Sequence, residues 1–257
     1  MIIMNKLAIL LRFVLPSLFI RKFFFNLFAL TLGKGFEFGS FVKEFKYIKP
    51  FLGNNVKLLI DVGANYGAYT EELIENYPSS KIYLFEPQKY LYNFLKKKYD
   101  GLDNIKVFNI ALDEINKEAL LNKSFEGDDN ASIYKREQFN NSTSLREKIS
   151  CKRFDEIITD EKIDFVKIDV EGNEMKVLKG MEKIISKIRV IQVEFGGTWI
   201  DSRFFYKDLF DFFRSKNFSL YRVAPGNLIK IHNYDETDEY FTYTNFIATN
   251  NVMLSND

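Results

Sequence analysis

The sequence predicts an α/β protein built on a doubly wound, mostly parallel β-sheet, with an antiparallel closing strand and an N-terminal helical arm. Three observations lead to this prediction. From residue 57 onward, short apolar runs alternate with amphipathic segments at a spacing typical of βαβ units. Most of these apolar runs end at an acidic residue. The chain has 257 residues, 46% of them hydrophobic, which suits one α/β domain with a small appendage.

The first 50 residues form an apolar, basic arm, which we separate from the domain formed by residues 51–257. The arm has a net charge of +6, against −5 for the remainder of the chain. Pro16 divides it into two short predicted helices, the second rich in Phe. We do not expect a transmembrane span, because Arg21 and Lys22 lie inside the only sufficiently long apolar window. A cleavable signal is also disfavoured, because the first apolar run is short and ends at Arg12.

Two interpretations of the arm remain open at this stage. It can pack over the domain or a partner subunit, or it can lie on a membrane surface through residues 1–32. Basic residues suit anionic headgroups, so we expect weak, salt-sensitive association with the inner face of a membrane. The oligomeric state is not predicted.

The remaining elements follow in order along the chain. We predict strands over 57–61, 81–85, 105–110, 164–168 and 189–195. We predict helices over 67–76, 88–99, 174–186 and 206–215. The region between 113 and 160 is less regular, and its polar, turn-rich stretch 122–144 predicts a hairpin and loops. Residues 218–223 and 244–249 predict a closing antiparallel pair.

Acidic residues mark the ends of four predicted strands. They are Asp61, Glu86, Asp169 and Glu194. One acid after a strand is an ordinary cap or turn residue, but four together form a concentrated polar edge. In an open α/β sheet, ligands bind outside the carboxyl ends of the strands. The sequence therefore predicts a binding site at this edge.

The turn after the first strand reads Asp61-Val62-Gly63-Ala64-Asn65-Tyr66-Gly67. Its Gly-x-x-x-Gly spacing differs from the Gly-x-Gly-x-x-Gly turn that binds a dinucleotide pyrophosphate. It suits the amino-acid end of S-adenosylmethionine, whose carboxylate we expect to meet the backbone amides of Gly63, Asn65 and Gly67. Asp61 lies beside the ammonium group in this interpretation.

The residues after the second and third strands complete the predicted cofactor site. Glu86 can accept hydrogen bonds from both ribose hydroxyls. Pro87 can cover a face of the adenine, while Asn109 and Ala111 line its edge.

Several sequence runs resemble the FkbM-type methyltransferases. These are residues 61–70, 85–87, 109–112, 164–174, 178–180 and 192–198, of which Lys-Ile-Asp-Val-Glu-Gly at 167–172 is the most selective. The resemblance spans about residues 57–198, with a weaker match at 245–247, and leaves the arm uncovered. It implies the class I methyltransferase, Rossmann-like fold and S-adenosylmethionine as methyl donor. It also implies O-methylation of sugars in polysaccharides, glycolipids or glycosylated natural products.

Methylation of a hydroxyl requires a base that takes its proton. Asp169 is the first candidate and Glu194 the second. We expect Glu171 and Glu174 to support the following helix through its dipole, and Lys167 to tune Asp169. Asp169 and Glu194 have the oxygen ligands that Mg²⁺ prefers, but the sequence does not justify predicting a metal.

The amino-acid composition excludes some binding partners and some kinds of site. A net charge of +1 argues against nucleic acid as a partner. Cys151 is the only cysteine and His232 the only histidine, which excludes an internal disulfide and a Cys/His zinc site and favours the cytoplasm. Two alternatives stay open: a non-catalytic S-adenosylmethionine-binding or membrane-scaffold protein, and an NAD-dependent oxidoreductase. We expect acceptor contacts from the loops at 122–150 and 198–205.

Overall fold

The structure is a computed structural model, and it describes residues 4–6, 8, 11–12, 17–35, 42–135, 145–159 and 162–255. The helices are α1 (Leu18–Thr31), α2 (Val42–Leu52), α3 (Ala68–Asn76), α4 (Lys89–Lys98), α5 (Phe154–Ile157), α6 (Glu174–Gly180), α7 (Thr198–Ser202), α8 (Tyr206–Ser215) and α9 (Asn251–Leu254). The strands are β1 (Leu58–Val62), β2 (Lys81–Phe85), β3 (Ile105–Phe108), β4 (Ala111–Asp113), β5 (Lys117–Lys123), β6 (Leu145–Arg153), β7 (Ile163–Ile168), β8 (Ile188–Phe195), β9 (Phe218–Ala224), β10 (Asn227–Ile231) and β11 (Thr244–Asn250).

The main sheet has eight strands in the order β10-β9-β11-β8-β7-β1-β2-β3. The five strands from β8 to β3 run parallel. β11 is antiparallel to β8 and pairs with β9, as expected for the closing pair. The predicted fold class is therefore confirmed.

Apolar runs that are buried on both faces make the central strands. All five residues of β1 are buried. Its residues alternate between two hydrophobic cores, with Leu58 and Ile60 in one and Leu59 in the other. Phe45 and Ile48 of α2 lie in the same core as Leu59, so residues 42–52 cover one face of the sheet. Helices on both faces make the sheet doubly wound.

The strand order reverses between β1 and β7. The chain leaves β1 toward β2 on one side, while β7 lies on the other. The two loops that follow β1 and β7 diverge here and leave a crevice at the carboxyl ends of the strands. The amide of Asp169 donates to the carbonyl of Val62 at 3.1 Å, which holds the two strand ends together.

A second, three-stranded sheet in the order β4-β6-β5 lies within the region predicted as a hairpin and loops. β5 and β6 form the hairpin, with Lys117 opposite Cys151 and Lys123 opposite Leu145, and β4 runs parallel to β6. Cys151 is fully buried there, and burial raises the pKa of its thiol to about 11. Such a thiol is an inert core group.

Helix α6 is shorter than the predicted helix over 174–186. It ends at Gly180, where a Cβ would overlap the backbone carbonyl oxygen of Asp113. The chain instead continues through turns into a short 3-10 helix at Ile185–Lys187 before β8 begins. Gly180 is therefore both the last residue of α6 and its point of close contact with β4.

The second of the two predicted arm helices is α1, while most of the first lies outside the described residues. Across the described parts of the chain, every helix is too short or too polar to cross a membrane.

Candidate active site

A cavity of about 400 Å³ opens at the carboxyl ends of β1, β2, β7 and β8. Its volume lies within the range of small-molecule and cofactor sites. The predicted site residues that line it are Gly63, Asn65, Glu86, Pro87, Ala111, Asp169 and Glu194. Three others, Asp61, Gly67 and Asn109, support the wall from behind and do not line it.

The carboxylate of Asp61 is fully buried beneath this wall. It accepts a hydrogen bond from Thr70 Oγ1 at 2.7 Å, and Lys167 Nζ lies 3.9 Å from its other oxygen. Burial raises the pKa of Asp61, an effect that Lys167 partly offsets. Asp61 does not line the cavity itself. It therefore acts on the site by interacting with Lys167, which does line the cavity.

Lys167 links Asp61 to Asp169. Its Nζ donates to Asp169 Oδ2 at 3.0 Å. Burial alone would lower the pKa of Lys167, but the charges of Asp169 and Asp61 outweigh this and raise it above its usual value. The lysine is thus held in its charged form, with its charge directed at the two carboxylates.

The glycine turn is shaped by the neighbouring strand. Gly63 has a φ of +83°, and a Cβ there would overlap the carbonyl oxygen of Asp169. Only glycine allows both this backbone conformation and this close approach. The turn therefore brings the end of β1 directly against the catalytic candidate Asp169.

Our expectation that the turn amides receive the cofactor carboxylate requires correction. The amides of Gly63 and Ala64 donate to the carbonyl of Phe85 at 3.0 and 3.1 Å. The amide of Asn65 donates to Glu86 Oε2 at 2.9 Å. These donors are already used, because the turn is tied to the end of β2. The first turn of α3, whose N–H groups have no intrahelical partner, supplies donors beside the cavity wall at Ala68.

Glu86 occupies the predicted position at the end of β2 and is buried. Its two carboxylate oxygens accept the amides of Asn65 at 2.9 Å and Gln88 at 2.8 Å. Burial raises the pKa of Glu86 to about 7. Each oxygen has a second lone pair, so the carboxylate can also accept two ribose hydroxyls. Asn109 fixes this turn, because its side-chain amide donates to the carbonyls of Glu86 and Pro87 at 3.0 and 2.8 Å.

Two side-chain oxygens in the cavity wall fit a polar ligand. Asn65 Oδ1 and Gln88 Oε1 are buried, and neither has a hydrogen-bond partner among the described residues. A buried acceptor without a partner costs about 1–3 kcal/mol. Donors of S-adenosylmethionine, such as its hydroxyl, amine and ammonium groups, would satisfy such oxygens, and the site therefore fits this cofactor.

Three carboxylates cluster beyond the end of β7. Oxygens of Asp169, Glu171 and Glu194 all lie within 4.8 Å of one another. Burial raises the pKa of Glu194 well above its ordinary value, and the charges of Asp169 and Glu171 raise it further. Such a cluster can bind a shared proton, and its oxygens are close enough together to ligate one divalent cation.

Glu174 holds the backbone that carries this cluster. It is buried, and its Oε1 accepts the amides of Val170 and Gly172, each at 3.0 Å. Burial raises the pKa of Glu174 to about 7. Glu174 therefore supports the loop after β7, in line with the structural role expected for it.

The sequence did not single out several lining residues. They are Tyr66, Tyr69, Asn173 and Tyr243. The segment 129–133, which lies in a loop expected to contact the acceptor, contributes Asp129, Asn130, Ala131 and Ile133 to the lining. Ser132 brings that segment to the cavity, because its Oγ donates to the carbonyl of Glu171 at 2.6 Å. Two loops are expected to contact the acceptor. The loop at 122–150 contributes this segment, although its residues 136–144 lie outside the described part of the chain. The loop at 198–205 contributes no lining residue.

Comparison with known proteins identifies similar chains. A model of the methyltransferase FkbM domain matches residues 61–220. Methyltransferase sdnD of Sordaria araneosa is 24% identical over 158 residues, covering 49% of this chain and 60% of that protein. The 2-O-methyltransferase NoeI of Sinorhizobium fredii is 22% identical over 176 residues, covering 61% of this chain and 70% of that protein.

A solved structure is also similar. The rRNA methylase of Streptococcus thermophilus superposes with a TM-score of 0.47 at 10% identity, covering 81% of this chain and 94% of that one.

Proposed function

The chain belongs to the FkbM methyltransferase family, and on that basis we propose that it transfers a methyl group from S-adenosylmethionine to a sugar hydroxyl. One observation carries the proposal. A single cavity is lined by Glu86 at the end of β2 and by Asp169 and Glu194 at the ends of β7 and β8. Because β1 and β7 lie between β2 and β8, the two sides are about 14 Å apart. A cofactor-binding carboxylate and a proton-accepting pair thus face one space.

The chain's residues would hold the cofactor along this cavity. S-adenosylmethionine supplies an activated methyl group on a sulfonium, which is already a good leaving group. Glu86 would accept the ribose hydroxyls, and Pro87 and Ala111 would contact the adenine. The first turn of α3 would donate to the carboxylate. The remaining task of the protein is to align the acceptor oxygen, and such alignment supplies up to about 7–11 kcal/mol.

Asp169 and Glu194 would receive the proton of the acceptor hydroxyl. Lys167 orients the carboxylate of Asp169 through its hydrogen bond of 3.0 Å. Burial raises the pKa of Glu194 above its ordinary value, which makes it a better proton acceptor than an exposed carboxylate. Since the two groups interact strongly, the proton belongs to the pair.

The lining of the cavity suits a sugar of a surface polysaccharide or glycolipid as acceptor. Asp129 and Asn130 offer polar groups for hydroxyls, while the rings of Tyr66 and Tyr243 offer apolar faces. The name of the similar 2-O-methyltransferase NoeI agrees with a hydroxyl acceptor. The buried, unpaired Cys151 agrees with a cytoplasmic location.

The geometry argues against the two alternative functions, an NAD-dependent oxidoreductase and a non-catalytic scaffold. A dinucleotide pyrophosphate needs free turn amides, and those of Gly63, Ala64 and Asn65 are used internally. A non-catalytic scaffold does not need the clustered, mutually repelling carboxylates of Asp169 and Glu194.

Transfer of labelled methyl groups tests the proposed function. Full-length protein is incubated with methyl-labelled S-adenosylmethionine and a panel of glycans, glycolipids, protein and RNA. We expect label in the carbohydrate as a base-stable methyl ether. Mass spectrometry of surface glycans should show one CH₂ unit fewer when the gene is removed. Label confined to protein or RNA would contradict the proposal.

Glu86→Ala should weaken S-adenosylmethionine binding about 10–150-fold, because hydrogen bonds to a charged group contribute about 1.5–3 kcal/mol. Calorimetry measures the affinity of each protein for S-adenosylmethionine, with Glu75→Ala, which removes an exposed carboxylate of α3, as the control.

Binding of S-adenosylmethionine by the unchanged protein should tighten as the pH rises through about 7, because the ionised carboxylate of Glu86 is the better acceptor. Unchanged affinity in Glu86→Ala would place the ribose elsewhere, and tight NAD binding would overturn the methyltransferase assignment.

A further inference from the structure

Helix α1 exposes almost all of its apolar side chains. Ala29 is its only buried residue among those described, and Phe19 is 79% exposed. Its exposed large hydrophobic residues are Leu18, Phe19, Ile20, Phe23, Phe24, Phe25, Leu27 and Phe28. A contiguous apolar surface of this kind marks an interaction site.

The length of α1 fits a helix that lies on a bilayer. Its 14 residues span about 21 Å, whereas the hydrocarbon core of a bilayer is about 30 Å thick. Arg21 and Lys22 lie in the first half of the helix, inside the apolar segment, where a spanning helix would place them in hydrocarbon. On the surface, the same residues reach the headgroups while the Phe rings enter the acyl boundary.

The charge of the N-terminal segment favours an anionic bilayer over a second copy of the chain as the binding partner of α1. Residues 1–41, which precede α2, have a net charge of +4, and the rest of the chain has −3. Two copies that met through these segments would bring +4 against +4. An anionic surface attracts the arm and repels the remainder, which also sets the orientation of the bound protein.

The C-terminal end of α1 is fixed to the catalytic edge of the sheet. Lys34 pairs with Asp238 at 3.0 Å, Arg222 donates to the carbonyl of Leu32 at 3.3 Å, and Thr244 donates to the carbonyl of Gly33 at 3.3 Å. These contacts leave the exposed part of the helix beyond the domain.

Strand pairing places this attachment beside the cavity. Thr244 begins β11 and pairs with Phe195 at the carboxyl end of β8, one residue after Glu194. Its neighbour Tyr243 lines the cavity. The arm and the active site therefore share one edge of the sheet.

We propose that α1 is a peripheral anchor that binds an anionic phospholipid bilayer and holds the active-site cavity at that surface. The acceptor is then a glycan linked to a membrane lipid, an extension that rests on the proposed methyl transfer. Anchoring brings the enzyme to an acceptor that cannot leave the bilayer.

Vesicle sedimentation of the full-length protein tests the anchor. We expect the protein to sediment with vesicles of phosphatidylcholine and phosphatidylglycerol at low salt and to be partly released at high salt. Vesicles of phosphatidylcholine alone should bind far less. Protein that stays in the supernatant with anionic vesicles at low salt would overturn the proposal.

Two sets of variants separate the apolar and electrostatic contributions. Replacing Phe19, Phe23, Phe24 and Phe28 together by Ser should weaken binding by at least about 100-fold, because each replacement removes an aromatic ring that would enter the bilayer. Arg21→Gln with Lys22→Gln should weaken it about 30-fold, since each basic residue contributes about 1 kcal/mol near an anionic surface. Phe125→Ser, a replacement of another exposed Phe, should bind as the unchanged protein does.

Independent readouts distinguish anchoring from catalysis. The Phe variants should keep their thermal stability, their affinity for S-adenosylmethionine and their activity on a water-soluble acceptor, while losing activity on a lipid-linked acceptor in vesicles. Equal loss on both acceptors would overturn the link between anchor and substrate. A dimer in ultracentrifugation that the Phe replacements dissociate, with no vesicle binding, would show that a second copy covers α1.

Discussion

Asp169→Asn is expected to lower turnover by about 10²–10⁴-fold, the usual contribution of a general base. The replacement preserves the shape of the side chain but removes its charge and basicity. Affinity for S-adenosylmethionine should stay roughly intact, because the ribose and adenine contacts lie at the other side of the cavity. Single-turnover kinetics and calorimetry separate the two effects. Asp103→Asn, an exposed carboxylate near the amino end of β3, is the matched control.

The Glu194→Gln variant shows which of the two carboxylates, Asp169 or Glu194, is the general base. If turnover survives in Asp169→Asn but is lost in Glu194→Gln, Glu194 is the base and Asp169 only positions Lys167. The pH profile adds a second criterion. A base acts when deprotonated, so the rate should rise with pH through a midpoint above the ordinary carboxyl range, because the pKa of Glu194 is raised. Glu194→Gln should remove that rise.

The strand-end acids were predictable because they depend on local pattern. Periodicity located β1, β2, β7 and β8, and alternation with helices implied a parallel sheet whose carboxyl ends meet at one edge. Glu86, Asp169 and Glu194 therefore line one cavity, as expected. Asp61 was also predicted at this edge. Its position behind the cavity wall, next to Lys167, was not predictable, because it depends on how deeply the side chain of Lys167 is buried.

Other features depend on contacts between distant parts of the chain. The turn amides are used by Phe85 and Glu86 because β2 lies against β1, which composition does not reveal. Ser132 holds its neighbours at the cavity through its bridge to Asn122 in β5 and its bond to Glu171, a residue 39 positions away. Tyr243 reaches it through the antiparallel pairing of β11 with β8. No local signal in the sequence marks these residues.

Gly63→Ala should destabilise the protein by about 3 kcal/mol or more. The left-handed conformation at φ +83° costs a non-glycine residue about 1–2 kcal/mol, and overpacking in a tight interior adds about 1–3 kcal/mol. For a domain of this size, thermal unfolding should shift down by about 6–12 °C. The new methyl group would push on the carbonyl of Asp169, so turnover should fall in the protein that remains folded.

Gly226→Ala separates backbone strain from the steric overlap. Gly226 has the same φ of +83°, but a Cβ there meets nothing within 4 Å. It should therefore lose only about 1–2 kcal/mol and retain full turnover. Calorimetric unfolding and turnover of both variants give the comparison. If Gly63→Ala lost no more stability than Gly226→Ala and kept its activity, the ends of β1 and β7 would not be in the tight contact that positions Asp169.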